Sequence, residues 1–365
     1  MKKILSVLLS ACLVASLCAC GAQNTASTET SAEASVESSV EASVEAPATE
    51  PAADPSAAIK VGMVTDVGGI NDQSFNQSAW AGLSALAAEN AAVSVNYLES
   101  KTDADYANNI QTFIDDEYDL IICVGFMLAD ATRVAAEANP DQKFAIIDDA
   151  SCADLANVAC LMFSQEQASY LVGVVAGMMT KSNVVGYVQG MVMPTMDLFG
   201  IGFIEGVKSV NPDAKVLQFN ANSFGDTAVG AAAATDMVTN GADVIYHAAG
   251  GTGAGVISAC HDNNVWAIGV DSDQSVVDPC HVITSAMKRV DNASADIALA
   301  VLNGTFAGGV QQFSLADGGV DIAPTTTLLP EDVIAAVTAA KEAILNGSVV
   351  VSTSKDTCPD FILAD

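Results

Sequence analysis

Positive charge is scarce in this 365-residue chain: 13 Lys and Arg stand against 44 Asp and Glu, for a net charge of −31. A field of that sign repels phosphate backbones, so no nucleic acid is expected as a partner. Metal-ligand spacing is also lacking. The three histidines, His247, His261 and His281, form no zinc-type pattern with the cysteines, and no Cys-x-x-Cys pair occurs. Neither a metal nor a cofactor is therefore expected. The glycine run after His247 lacks the Lys-Ser/Thr ending of a phosphate loop and does not fit G-x-G-x-x-G. Only one long uncharged apolar stretch exists, and it lies at the N-terminus. What is present is a 51% hydrophobic composition, enough for a large core and incompatible with disorder throughout. The length fits two domains of ordinary size.

The N-terminal stretch reads as an address. Lys2 and Lys3 precede an apolar run from Ile4 to Ala19. Spanning a bilayer takes about 20 apolar residues, so this shorter run is expected to be a signal peptide over residues 1–19. Its ending, Leu17-Cys18-Ala19-Cys20, resembles the bacterial lipobox, which makes Cys20 the expected lipidation site and first mature residue. Acyl chains would then anchor a soluble body to the extracytoplasmic face of the cell membrane. Residues 20–57 read as the lipidated Cys and an acidic disordered linker. Glu29, Glu33, Glu37, Glu41 and Glu45 recur every four residues and would repel along one helical face.

Beyond the leader, Cys123, Cys152, Cys160, Cys260, Cys280 and Cys358 remain, and six cysteines allow fifteen pairings. Cys123 and Cys160 sit in apolar strand-like runs and read as small core residues. From residue 59 onward short β-branched runs alternate with Ala-rich helical segments. Strands are expected at 59–65, 93–98, 120–124, 144–148, 158–163 and 184–189, then at 215–219, 244–247, 265–270 and 282–285. This alternation predicts an α/β protein with parallel sheets and helices on both faces. The pattern restarts near Asn183, so two lobes are expected.

Ligands of open parallel sheets sit outside the carboxyl ends of the strands. There the chain carries Asp66, Asp148 and Asp271, each of which could instead be an ordinary helix cap. Phe75 and Phe224 lie in polar turns beside these ends, and Gly250 and Lys288 follow later strands.

Residues 65–82, TDVGGINDQSFNQSAWAG, resemble the opening motif of the basic membrane lipoprotein family. The resemblance continues through Gly125-Phe126, FAIID, GFIEGVKSVNP, SFGD, HAAGGTG, GVDSDQ and SAMKRVD, in order, over nearly all of residues 58–350. It implies a two-lobed type I periplasmic-binding-protein fold with three crossovers. The N-terminal lobe would be 58–182 and the C-terminal lobe 183–310, with 311–365 a crossover and a last helix returning to the N-terminal lobe. It also implies a substrate-binding protein, not an enzyme, that captures purine nucleosides for an ABC permease and its ATPase. Phe75 and Phe224 would sandwich the base, and stacking is worth about 1–3 kcal/mol per base. Asp271, the Gly250 backbone and Lys288 would grip the ribose, while Asp66, Asn76 and Asp148 would read the base edge. Two other readings stand beside this one: a sugar or small signalling-molecule receptor on the same fold, and a nucleoside hydrolase using the aspartates.

Overall fold

Short β-branched runs form two six-stranded sheets. The computed structural model describes residues 58–363, so the expected signal peptide, Cys20 and linker lie outside the described residues. The first sheet contains β1 (Ile59–Val64), β2 (Val93–Leu98), β3 (Leu120–Cys123), β4 (Lys143–Ile147) and β5 (Val158–Phe163). The second contains β6 (Val184–Gln189), β7 (Lys215–Asn220), β8 (Val244–Ala248), β9 (Trp266–Asp271) and β10 (Val282–Lys288). Two later strands, β11 (Gly309–Phe313) and β12 (Val320–Ile322), complete them. The orders are β11-β5-β4-β3-β1-β2 and β12-β10-β9-β8-β6-β7, parallel throughout except that β12 runs against β10. Central strands such as β3, whose four residues are all buried, are covered on both faces and so carry no polar alternation.

The covering helices are α1 (Phe75–Glu89), α2 (Tyr106–Asp115), α3 (Ala129–Ala138), α4 (Gln165–Met179), α5 (Pro194–Val210), α6 (Thr227–Thr239), α7 (Thr252–Asp262), α8 (Val290–Leu302) and α9 (Glu331–Leu345). α5 begins at Pro194, since a proline fits the first helical turn, where its missing N–H has no intrahelical partner.

The chain crosses between lobes three times. It leaves the first sheet after β5, since α4 packs against α5, β8, β10 and β12. It returns after β10, since α8 packs against α1, β1 and β3. It leaves again between β11 and β12. The lobe boundary therefore falls before α4, ahead of the sequence expectation near Asn183.

The last helix also differs from its expected place. It packs against α4 of the second lobe, not on the first. The tail follows it there: Gln218 Nε2 donates to Asp360 O (2.7 Å), and Lys355 pairs with Asp197 (2.8 Å). The third crossing has already carried the chain across, and among the described residues nothing after β12 takes it back. The six cysteines of the described residues are free, five of them buried. No helix among the described residues is long and apolar enough to cross a membrane.

The most extensive helix contact is between α4 and α5. A Cβ on Gly173 would meet the Phe203 carbonyl, and one on Gly206 would meet the Tyr170 carbonyl. The two backbones approach closely only because both residues lack side chains. Gly206→Val is expected to cost about 1–3 kcal/mol through overpacking. A urea titration checks this as a lower midpoint at unchanged slope.

Candidate functional site

The segment between β1 and α1 turns twice within ten residues and ties its own carboxylates to backbone N–H groups. Asp72 Oδ1 accepts from the N–H groups of Ser74 (2.9 Å) and Gln77 (3.0 Å), and its Oδ2 accepts from that of Asn76 (2.8 Å). These donors belong to the N-cap and first turn of α1, where backbone N–H groups have no helical acceptor. Asp66 Oδ1 accepts from Gly68 N–H (2.8 Å) and from the Asn76 amide (2.7 Å). The same amide donates to Asp72 (3.0 Å), and Asn76 Oδ1 accepts from Asp66 N–H (3.2 Å). Asn76 is thus spent mostly on orienting two carboxylates, which leaves it little capacity for a ligand.

On the facing walls, Asp148 follows β4 and Asp271 ends β9, with φ of 66° and 64°. Asp tolerates this left-handed region better than most residues, and the kink turns each carboxylate out of its strand toward the space between the lobes. Neither is a helix cap. Asp148 Oδ2 pairs with Lys288 Nζ, while its Oδ1 is buried with no partner. Lys288 is only 2% exposed and lies over the rings of Phe75 (4.7 Å), Phe163 (5.0 Å) and Phe199 (5.6 Å). A desolvated ammonium gains from such aromatic faces.

These groups also join the lobes. Ser74 Oγ donates to Asp271 Oδ2, and Gln274 Nε2 donates to Gln73 O (2.9 Å). Lys288 reaches from the second lobe to Asp148 of the first.

Burial dominates the electrostatics. It pushes the Asp66 carboxyl up to about 6 against the lowering effect of the Asn76 and Gly68 hydrogen bonds. It pushes Asp271 up to about 7, although Lys288 and Ser74 oppose it. Asp72 is raised by burial too. Near neutrality the cleft therefore holds carboxyl groups able to accept or to donate.

All eight residues singled out from the sequence, Asp66, Phe75, Asn76, Asp148, Phe224, Gly250, Asp271 and Lys288, line one cleft between the lobes. It contains about 490 Å³ of space unoccupied by protein atoms, its mouth included. Phe75 and Phe224 make no ring contact with each other. Phe224 instead meets Phe126 edge-on at 6.2 Å. Asp72, Phe126, Met196 and Phe199 line the cleft as well and escaped sequence reasoning. Asp72 and Phe126 lay inside quoted motifs, whereas Met196 and Phe199 carry no signal separating them from core residues of an apolar helix.

Comparisons with known proteins agree with this arrangement. Residues 59–355 match the Bmp family, described as "ABC transporter substrate-binding protein PnrA-like". The chain is 39% identical to the "CD4+ T-cell-stimulating antigen" of Listeria monocytogenes, over 80% of this chain and 87% of that relative. It is 36% identical to the "ABC transporter nucleoside-binding protein BmpA" of Lactococcus lactis, over 80% of this chain and 89% of that one. A crystal structure of an ABC transporter solute-binding protein from Aeropyrum pernix superimposes with a TM-score of 0.75 at 28% identity. That match covers 82% of this chain and 95% of the other. With two periplasmic-binding-protein-like lobes and one cleft between their strand ends, the chain belongs to the Bmp family of ABC transporter substrate-binding proteins and is not an enzyme.

Proposed function

We propose that this protein is a lipid-anchored receptor that captures purine nucleosides in the interlobe cleft and delivers them to an ABC permease and its ATPase. The observation that carries the reading is the pair of strand-end carboxylates, Asp148 and Asp271, aimed from opposite lobes into one buried space. A ribose offers vicinal hydroxyls, and an ionised Asp271 accepts both. The Gly250 backbone and Lys288 complete that grip. A purine edge offers donors, and the unpartnered Asp148 Oδ1 accepts one. Asp66, held by Asn76, supplies a second contact to the base edge. Phe75 and Phe224, with Phe126 behind the latter, supply the apolar faces for the base. The Lactococcus relative's name, a nucleoside-binding protein, supports the ligand class. The lipid anchor rests on Cys20 and the sequence before it.

Calorimetry of the untagged body with nucleosides, free bases and pentoses tests the reading. Purine nucleosides are expected to bind and to be recovered intact, and release of free base would transfer the protein to the hydrolases. Asp271→Ala is expected to lose at least about tenfold to a hundredfold in affinity, since hydrogen bonds to charged groups contribute about 1.5–3 kcal/mol each. Wild-type protein should discriminate against 2′,3′-dideoxynucleosides and the variant should not. Phe224→Ala should weaken both ligand types alike. If Asp271→Ala binds as tightly as wild type while folded, the ribose contact lies elsewhere.

In cells, Cys20→Ala is expected to leave the precursor uncleaved and free of labelled lipid. Continued lipid incorporation would refute the anchor.

A further inference from the structure

Away from the cleft, His261, Asp278 and His281 converge on one point. We propose that they form a binding site for a divalent transition-metal ion of the zinc class. His261 lies in the last turn of α7, and Asp278 and His281 lie in the loop that enters β10. Spacing along the sequence gives no hint of this, because the ligands come from two separate elements. The fold closes them into a cluster whose donor atoms all lie within 4.8 Å of one another.

The geometry is specific. Asp278 Oδ2 is 2.9 Å from Nδ1 of His261 and 2.9 Å from Nδ1 of His281. Its other oxygen is engaged by the Cys280 N–H at 3.0 Å, which fixes the carboxylate with Oδ2 toward the two rings. On His281 the outer nitrogen, Nε2, lies 3.5 Å from Asn264 Oδ1, an outer contact of the kind that orients metal-binding imidazoles. Asp278 and His281 side chains are 12% and 14% exposed, while His261 is 60% exposed. Two ligands are therefore held by the protein, and the third is free to adjust.

Zinc bonds of about 2.0–2.2 Å set tetrahedral donors roughly 3.3–3.6 Å apart. Each His–Asp contact would open from 2.9 Å by about half an ångström, and the two imidazole nitrogens, within 4.8 Å of each other, would draw together, movements within reach of exposed His261. Two imidazole nitrogens and one carboxylate oxygen suit zinc-class ions rather than calcium or magnesium, and water takes the fourth position.

This site is remote from the nucleoside cleft. His281 immediately precedes β10 and Lys288 ends it, and seven residues at about 3.3 Å each span roughly 23 Å. A bound ion would tie the end of α7 to the start of β10 and stabilise the folded state by mass action.

The test is calorimetric titration of the untagged protein with zinc chloride, repeated with cobalt(II) under a spectrophotometer. One saturable site is expected, with a cobalt spectrum of nitrogen and oxygen ligands and no thiolate band. His261→Ala and His281→Ala are each expected to weaken binding by about tenfold to a hundredfold, and the double variant should abolish it. Zinc should raise the melting temperature of wild type and not of the double variant, with nucleoside affinity unchanged in both. The proposal is overturned if no saturable site is found or if binding survives in the folded double variant. A thiolate band that disappears in Cys280→Ser would equally overturn it, by placing the ion on that exposed cysteine.

Discussion

Burying several carboxylates beside a single ammonium is the constraint on which the cleft depends. Asp66, Asp72, Asp148 and Asp271 are each at most 6% exposed, and Lys288 is the one cation among the residues lining the cleft. Desolvation opposes this arrangement, and removing one partner of a buried ion pair commonly costs about 3–5 kcal/mol. The cluster persists because each charge has a fixed partner: backbone N–H groups for Asp72, an amide for Asp66, the ammonium for Asp148 and a hydroxyl for Asp271. Because burial raises Asp66 to about 6 and Asp271 to about 7, both hold protons better in the folded chain than in the unfolded one. Their contribution to stability is present in full below the ordinary carboxylate range. It is lost as the pH rises through about 6 and about 7.

The rest of the molecule places those charges. Parallel strands end together, so both sheets present their carboxyl ends to one space. The three crossings let the same chain build both walls. They also explain why Ser74 and Asp271, 197 residues apart, meet in a hydrogen bond. Close glycine contact between α4 and α5, at Gly173 and Gly206, sets the second lobe's packing.

Most of the fold was legible because buried parallel strands announce themselves as apolar β-branched runs; β2, β5 and β6 fall on the expected residues. β11 was not legible. It is an edge strand, Gly-Val-Gln-Gln-Phe, with no fully buried residue, and its polar run looks like a loop. β12 is three residues long, too short for any period to show. The position of α9 was misjudged because its Val333 and Val337 declare a buried face but not which lobe it meets. The rule that ligands gather at strand ends pointed to Asp66, Asp148 and Asp271, and the family resemblance added Asn76 and the preference for Phe75 and Phe224; the eight residues named line one cleft. Their partners were not readable. Nothing in the sequence says that Asn76 is occupied by Asp66 and Asp72, or that Lys288 is caged by three phenyl rings.

If the account is correct, burial leaves part of the Asp271 population protonated near neutrality in the free protein, and the group is fully ionised when it accepts both ribose hydroxyls. Nucleoside binding must then release protons. The decisive measurement is calorimetry of a purine ribonucleoside at pH 7 in several buffers of different ionisation enthalpy. The expected result is net release of protons on nucleoside binding, diminishing as the pH is raised toward 8.5. Binding with no proton exchange, or with net proton uptake, would contradict the account.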